Sequence, residues 1–157
     1  MRIGQGLDVH RFSDEAGRPL VLGLVHVPDA PGLAGHSDAD AATHALCDAL
    51  LGAANLGDLG RHFPDDDPSL AGVSSRHLLE ATLELLKTHH YRVVSADVTI
   101  VAQHPRLAPH MPAMSHELSS ALGTPVSVKA TTTEGLGAIG RGEGIGALAI
   151  VLVEETA

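Results

Sequence analysis

Aromatic side chains are nearly absent: two Phe, one Tyr and no Trp occur among 157 residues. An interior without large rings must be filled by Leu, Val, Ile and Ala, so close packing of small side chains is expected. Basic charge is also scarce, with 10 Lys and Arg against 19 Asp and Glu and a formal charge of −9. No basic stretch interleaved with aromatics occurs, which excludes the electrostatic footprint of a nucleic-acid binder. A phosphate ligand is not excluded, because local dipoles and a metal ion can outweigh global charge. The single cysteine, Cys47, allows no intrachain disulfide and points to a reducing, cytoplasmic setting. No apolar run reaches membrane length and no signal-peptide core opens the chain, so neither membrane nor export is expected.

What is present is one domain's length of chain, 1–157, with helical and strand periodicities in alternation. Residues 1–10 alternate and Leu20 to Val27 is apolar between Pro19 and Pro28, which predicts two strands joined by a polar turn. Ser37 or Asp38 can cap a helix from about Asp40 to Ala54, whose Ala and Leu recur at helical spacing. Asn55 to Pro68 reads as a long polar loop, of the kind that is often functional. Ser74 or Ser75 caps a second helix to about Thr88. Val93 to Ala102 reads as a strand, Pro109 to Leu122 as a helix, Val126 to Thr131 as a strand, and Ile145 to Val153 as a buried last strand. This order predicts an α+β domain, a mixed sheet with helices on one face.

Eleven His in so short a chain direct attention to spacing. In Asp8-Val9-His10 the strand period puts both polar side chains on one face, about 6.6 Å apart. They could share one ion, but for that triplet alone ordinary alternation is the plainer account. On the first helix Asp40, His44 and Asp48 lie at i, i+4, i+8, so a carboxylate could hold the second ring nitrogen of a metal-bound His44; a solvated helix face is the alternative account. Two imidazoles and one carboxylate would leave zinc an open position, the pattern of a catalytic site. Asn55 to Pro68 is either an Asx-rich turn or a source of carboxylates for hydroxyls or a hard cation. Lys129-Ala130-Thr131-Thr132-Thr133-Glu134 puts hydroxyls and a carboxylate where a strand meets a glycine-rich loop, a place for an anion cradle. Gly135-Leu136-Gly137-Ala138-Ile139-Gly140 matches G-x-G-x-x-G, but too little chain follows for a Rossmann unit, and no Walker motif occurs.

Four segments, RIGQGLDVHRF, AGHSDADAATHALCDALLGAANLGDLGRHFPDDDP, DVTIVAQHPRLAPHMP and VKATTTEGLGAIGRGEGI, appear in the order they take in the 2-C-methyl-D-erythritol 2,4-cyclodiphosphate synthase family, which the chain closely resembles nearly end to end. The resemblance implies a homotrimer of ferredoxin-like subunits with active sites between neighbours, and a lyase step of non-mevalonate isoprenoid biosynthesis. It implies that Asp8, His10 and His44 hold zinc or a similar divalent ion such as manganese. His36 and Ser37 would cover the methylerythritol phosphate, in a pocket completed by Asp58, Leu59, Gly60, Phe63, Pro64, Asp65, Asp66 and Asp67. Ala102, Gln103, His104, Pro105, Arg106, Leu107 and Ala108 would enclose the cytosine of a cytidine diphosphate substrate. Thr131, Thr132, Thr133 and Glu134 would hold its diphosphate, with Glu134 on a second ion, magnesium; Arg141 joins the binding set, and His36 and Thr132 are the implied catalytic groups. Gln5, Arg106 and Ala138 depart from the commoner residues of the family. Two rival readings are a phosphodiesterase that uses metal-bound water and a nucleotide-sensing module with a structural metal.

Overall fold

The computed structural model describes residues 1–64 and 66–156. In chain order its regular elements are β1 (Arg2–Arg11), β2 (Leu20–Leu22), β3 (Val25–Val27), α1 (Ala41–Ala54), α2 (Leu59–His62), α3 (Ser75–Thr88), β4 (Tyr91–Ala102), α4 (Met111–Leu122), β5 (Val126–Thr131), α5 (Gly137–Gly140) and β6 (Gly144–Glu155). The main sheet has the order β1-β6-β4-β5, antiparallel except where β4 and β5 run parallel. A parallel pair needs a crossover, and α4 supplies it. The sheet is therefore threaded strand–helix–strand–helix–strand–strand, whereas a ferredoxin-like plan runs strand–helix–strand–strand–helix–strand. The α+β class with a mixed sheet holds, and the ferredoxin-like label is corrected by the parallel β4–β5 pair.

β1 does not pair with the next apolar segment, as the alternation suggested, but with β6, Arg2 opposite Val153 through Arg11 opposite Gly144. Leu20 to Val27 folds on itself instead. Gly23 and Leu24 both take positive φ, 55° and 66°, the geometry of a two-residue hairpin turn, and split the run into β2 and β3.

One sheet face carries the helices. Val98 and Ile100 of β4 and Ile145, Ala147, Ala149, Val151 and Val153 of β6 are buried beneath them, while Leu148 and Ile150 point the other way and are exposed. In β1 the even residues face the helices and the odd ones Ile3, Leu7 and Val9 do not. Helix α1 lies directly on β1 because the strand offers it no side chain. A Cβ on Gly4 would sit 1.9 Å from the Ala49 carbonyl oxygen, and one on Gly6 1.9 Å from that of Ala45. The Ala-rich inner surface of α1 completes this close contact. Asp40 caps the helix, in place of the expected Ser37 or Asp38: its carboxylate accepts from the backbone and hydroxyl of Thr43 and from the Gly23 and Leu24 amides, so the hairpin is fastened to the helix start. Among the described residues no helix is long and apolar enough to cross a membrane.

Candidate metal centre and substrate pocket

The stripe Gly4, Gly6, Asp8, His10 runs along the covered face of β1. Beyond the glycines, Asp8 and His10 reach toward His44, in the first turns of α1. Asp8 Oδ2 lies 2.9 Å from His10 Nε2 and 3.2 Å from His44 Nδ1, and the two nitrogens are 3.4 Å apart. These residues are the metal-ligand set read from the sequence, and their donor atoms converge.

Ring orientation can be assigned from the outer partners. His10 Nδ1 donates to the Ala34 carbonyl at 2.8 Å, so a neutral ring turns the lone pair of Nε2 inward. His44 Nε2 donates to Ser75 Oγ at 2.9 Å, with Ser37 Oγ at 3.3 Å. Ser75 in turn donates to the Asp38 carboxylate, so its oxygen is left to accept from the ring. Two inward lone pairs and a carboxylate oxygen in van der Waals contact require positive charge between them. Burial disfavours the charged form of Asp8, but protons on the inner nitrogens of His10 and His44, which would stand in for such a charge, outweigh it through hydrogen bonds and attraction and hold its carboxyl well below the ordinary value of 3.8. A tetrahedral ion with bonds of about 2.0–2.1 Å separates its ligands by about 3.3 Å, so the spacing of this N, N, O set fits a zinc-type cation.

The second nitrogen of His44 is thus held by serine backed by Asp38, not by Asp40 or Asp48. Asp40 is fully engaged as the helix cap, and Asp48 accepts from the Leu59 amide at 2.7 Å. Burial raises the Asp48 carboxyl against that hydrogen bond. Sequence reasoning missed the roles of Ser75 and Asp38; the double serine Ser74-Ser75 was the available signal, because only one of the pair can be the cap. Ser74 is that residue, accepting from the His77 amide, and Ser75 is left to face the ring.

The three ligands open onto a cavity of about 270 Å³ whose wall includes Gly35, His36, Ser37, Leu59, Gly60, Phe63, Pro64 and Asp67. Asp58 is turned to cap α2, accepting from the Arg61 amide, and neither it nor the exposed Asp66 lines the cavity; Asp65 lies outside the described residues. A second cavity of about 300 Å³ is walled by Ala102, Gln103, Pro105, Arg106, Leu107, Ala108, Thr131 and Thr132. His104 leaves that wall to stack on Phe12, ring centroids 5.0 Å apart. Beside it the chain turns back on itself: Thr132 donates to Glu134 at 3.0 Å, Thr133 to the Leu136 carbonyl at 2.7 Å, and Glu134 takes a positive φ of 52°. Arg141 is exposed and paired with Glu143. The metal cluster and the Thr131 to Glu134 segment share no cavity among the described residues.

Fold and site together define an α+β protein with an open pocket floored by a candidate three-ligand metal site, and a separate, mostly apolar cavity. The chain belongs to the YgbB family, whose model matches residues 1–154. It is 56% identical to the 2-C-methyl-D-erythritol 2,4-cyclodiphosphate synthase of Syntrophobacter fumaroxidans, over 98% of this chain and 97% of that one. Among solved structures it resembles a 2C-methyl-D-erythritol-2,4-cyclodiphosphate synthase in a CDP-bound form, with a TM-score of 0.87 and 38% identity over 98% of this chain and all of that one. It also resembles the bifunctional IspDF of Campylobacter jejuni, with a TM-score of 0.92 and 38% identity; 98% of this chain is matched, and it spans 42% of that longer one.

Proposed function

We propose that this chain converts 4-diphosphocytidyl-2-C-methyl-D-erythritol 2-phosphate to 2-C-methyl-D-erythritol 2,4-cyclodiphosphate and CMP, a phosphorus–oxygen lyase step of the non-mevalonate isoprenoid pathway. The observation that carries the reading is the convergence of Asp8, His10 and His44 at the floor of an open cavity, in a chain that matches cyclodiphosphate synthases almost end to end.

The substrate's 2-phosphate is largely dianionic at neutral pH, its second pKa being about 6, so it attacks the β-phosphorus without a general base. The P–O bond to the CMP phosphate breaks as the ring closes. Bringing two anions together is the obstacle, and orientation with positive charge lowers it more than proton transfer can. Asp8, His10 and His44 would hold zinc, or manganese in its place, and Glu134 a magnesium ion; such ions supply charge that offsets the phosphate oxygens. His36 and Ser37, on the wall beside the ligands, bind the phosphate of the methylerythritol half, with Leu59, Gly60 and the Phe63 to Asp67 segment around it. Thr131 to Glu134 bind the diphosphate, and the Ala102 to Ala108 segment encloses the cytosine. His36 and the Thr132 hydroxyl stabilise charge that builds in the transition state.

A homotrimer with active sites between subunits accounts for two features. The metal cavity and the cytosine cavity are separate in one chain, so a neighbour would bring the second to the first. The uncovered sheet face exposes Ile3 (74%), Leu7 (59%), Val9 (55%) and Ile150 (53%), an apolar surface that association would bury. A lone buried thiol suits a reducing cytoplasm. The test is incubation with the cytidine diphosphate substrate: stoichiometric CMP with the cyclic diphosphate, abolished by chelator and restored by Zn²⁺, is expected. Linear products, or activity indifferent to chelator, would sink the reading.

A further inference from the structure

Residues 33–37 form a strip, bent at 35–37, between the candidate metal ligands and a third cavity lined by Arg18, Ser37 and Gly72, and the strip's successive carbonyls alternate in partner. The guanidinium of Arg18 donates from Nε to the Leu33 carbonyl at 2.6 Å, and from Nη2 both to the Gly35 carbonyl at 3.0 Å and to that of Ser37. Between these, the Ala34 carbonyl accepts from His10 Nδ1 at 2.8 Å and the His36 carbonyl from the Gly72 amide at 2.8 Å. The odd carbonyls thus bond Arg18 and the even ones bond other partners, although the backbone bends at residues 35–37. A peptide plane cannot rotate alone in such a strip without unmaking bonds on both edges.

We propose that Arg18 is a positioning residue for this enzyme: by gripping three alternate carbonyls it sets the facing of the 33–37 strip, which fixes the His10 tautomer through Ala34 and the placement of His36 and Ser37 at the cavity wall. Arg18 touches neither the metal cavity nor any ligand atom; it lines the opposite cavity with Glu15, Gly17, Pro19 and Asp38. Its charge is partly met by Glu15 at 3.5 Å, and its side chain is mostly buried. The geometry needs a planar fork with several fixed N–H directions, which arginine has and lysine lacks. The strip also reaches the other imidazole, because Ser37 Oγ lies 3.3 Å from His44 Nε2. One guanidinium therefore acts on both ring ligands and on the two residues that the proposed function sets over the substrate phosphate.

The inference rests on that function only for its substrate half, and the experiment separates the two. Arg18→Lys is compared with wild type in three measurements: Zn²⁺ affinity by competition with a chromophoric chelator, ring ¹⁵N chemical shifts of His10 in the metal-free protein, and kcat and KM with the cytidine diphosphate substrate. The metal-free wild type should carry its His10 proton on Nδ1. The variant should keep wild-type far-UV circular dichroism, bind Zn²⁺ about tenfold or more weakly, as loss of an outer-shell support does, mix the His10 tautomers, and show a raised KM. A folded variant with Zn²⁺ affinity and KM within twofold of wild type overturns the inference, as does a wild-type His10 protonated on Nε2 alone. If Arg18→Lys does not fold, Arg18→Gln, whose amide can still reach one carbonyl, is read against the same limits, and the wild-type tautomer decides by itself. Wild type that binds Zn²⁺ as described yet releases no CMP would refute the proposed reaction while leaving the role of Arg18 standing.

Discussion

The two faces of β1 carry different kinds of information. Its even residues, Gly4, Gly6, Asp8 and His10, meet α1, and each has a partner there or in the strip at 33–37: a backbone carbonyl at van der Waals limits, an imidazole, or the Ala34 oxygen. Its odd residues Ile3, Leu7 and Val9 are apolar and exposed in the single chain. A strand whose inner face is complete and whose outer face is not teaches that the fold and the candidate metal site belong to the single subunit, whereas the proposed full active site belongs to the proposed assembly. Damage to the inner face should therefore cost the subunit, and damage to the outer face only the assembly.

The sharpest way to break that division is His44→Ala. Turnover should vanish and Zn²⁺ affinity fall by more than the ~100-fold that loss of an outer partner costs, while circular dichroism stays native, as metal titration and CMP release would establish. Tight Zn²⁺ binding in this variant would remove His44 from the ligand set. Next, Gly6→Ala puts a Cβ 1.9 Å from the Ala45 carbonyl oxygen, and pushing helix from strand should cost about 3 kcal/mol or more in urea unfolding. A stability loss under about 0.5 kcal/mol would mean the contact is not rigid.

On the outer face, Ile150→Asp should leave a folded subunit that still binds Zn²⁺ but sediments as a monomer with little turnover. A variant of unchanged mass by analytical ultracentrifugation would contradict the division. Ser75→Ala should weaken Zn²⁺ binding by about 10- to 100-fold, because the His44 ring loses the acceptor that fixes its tautomer; Ser75→Thr should recover part of it. The smallest effect concerns Cys47 on α1, whose thiol burial pushes from its ordinary 9.0 up to about 12 against a hydrogen bond with Thr82. The native state keeps the thiol proton while the unfolded chain releases it near pH 9, so this contribution to stability is complete below pH 9 and is lost as pH rises toward 12. Urea unfolding free energies should then decline by an extra amount of about 1 kcal/mol per pH unit above pH 9 in wild type relative to Cys47→Ala. Parallel declines would show that the thiol ionises freely in the native state.

Local pattern makes several elements readable. The Ala and Leu of α1 recur at helical spacing and end at Ala54, and α3 and β5 fall within two residues of expectation. The Asp8-Val9-His10 alternation is enough by itself to place both side chains on one face. The N-cap of α1 is not readable in this way: Ser37 and Asp38 are as good caps by residue type as Asp40, and only the hairpin docked on Asp40 distinguishes among them. The partner of β1 is hidden for a similar reason, since alternation marks a strand but says nothing about which distant strand completes its hydrogen bonds.

What the chain's own order determined is the set of groups available: two ligands on one strand face, a third in the first turns of a small-residue helix, and glycine at the positions where that helix lies closest. Those features depend on residue period and side-chain size, which neighbours in the chain decide. Tertiary structure alone decided which nitrogen of each ring faces inward, that Ser75 and Asp38 stand behind His44, and that Arg18 grips the strip beneath His10. Each of those contacts joins residues 15 or more positions apart, and a partner so distant is selected by packing, not by spacing.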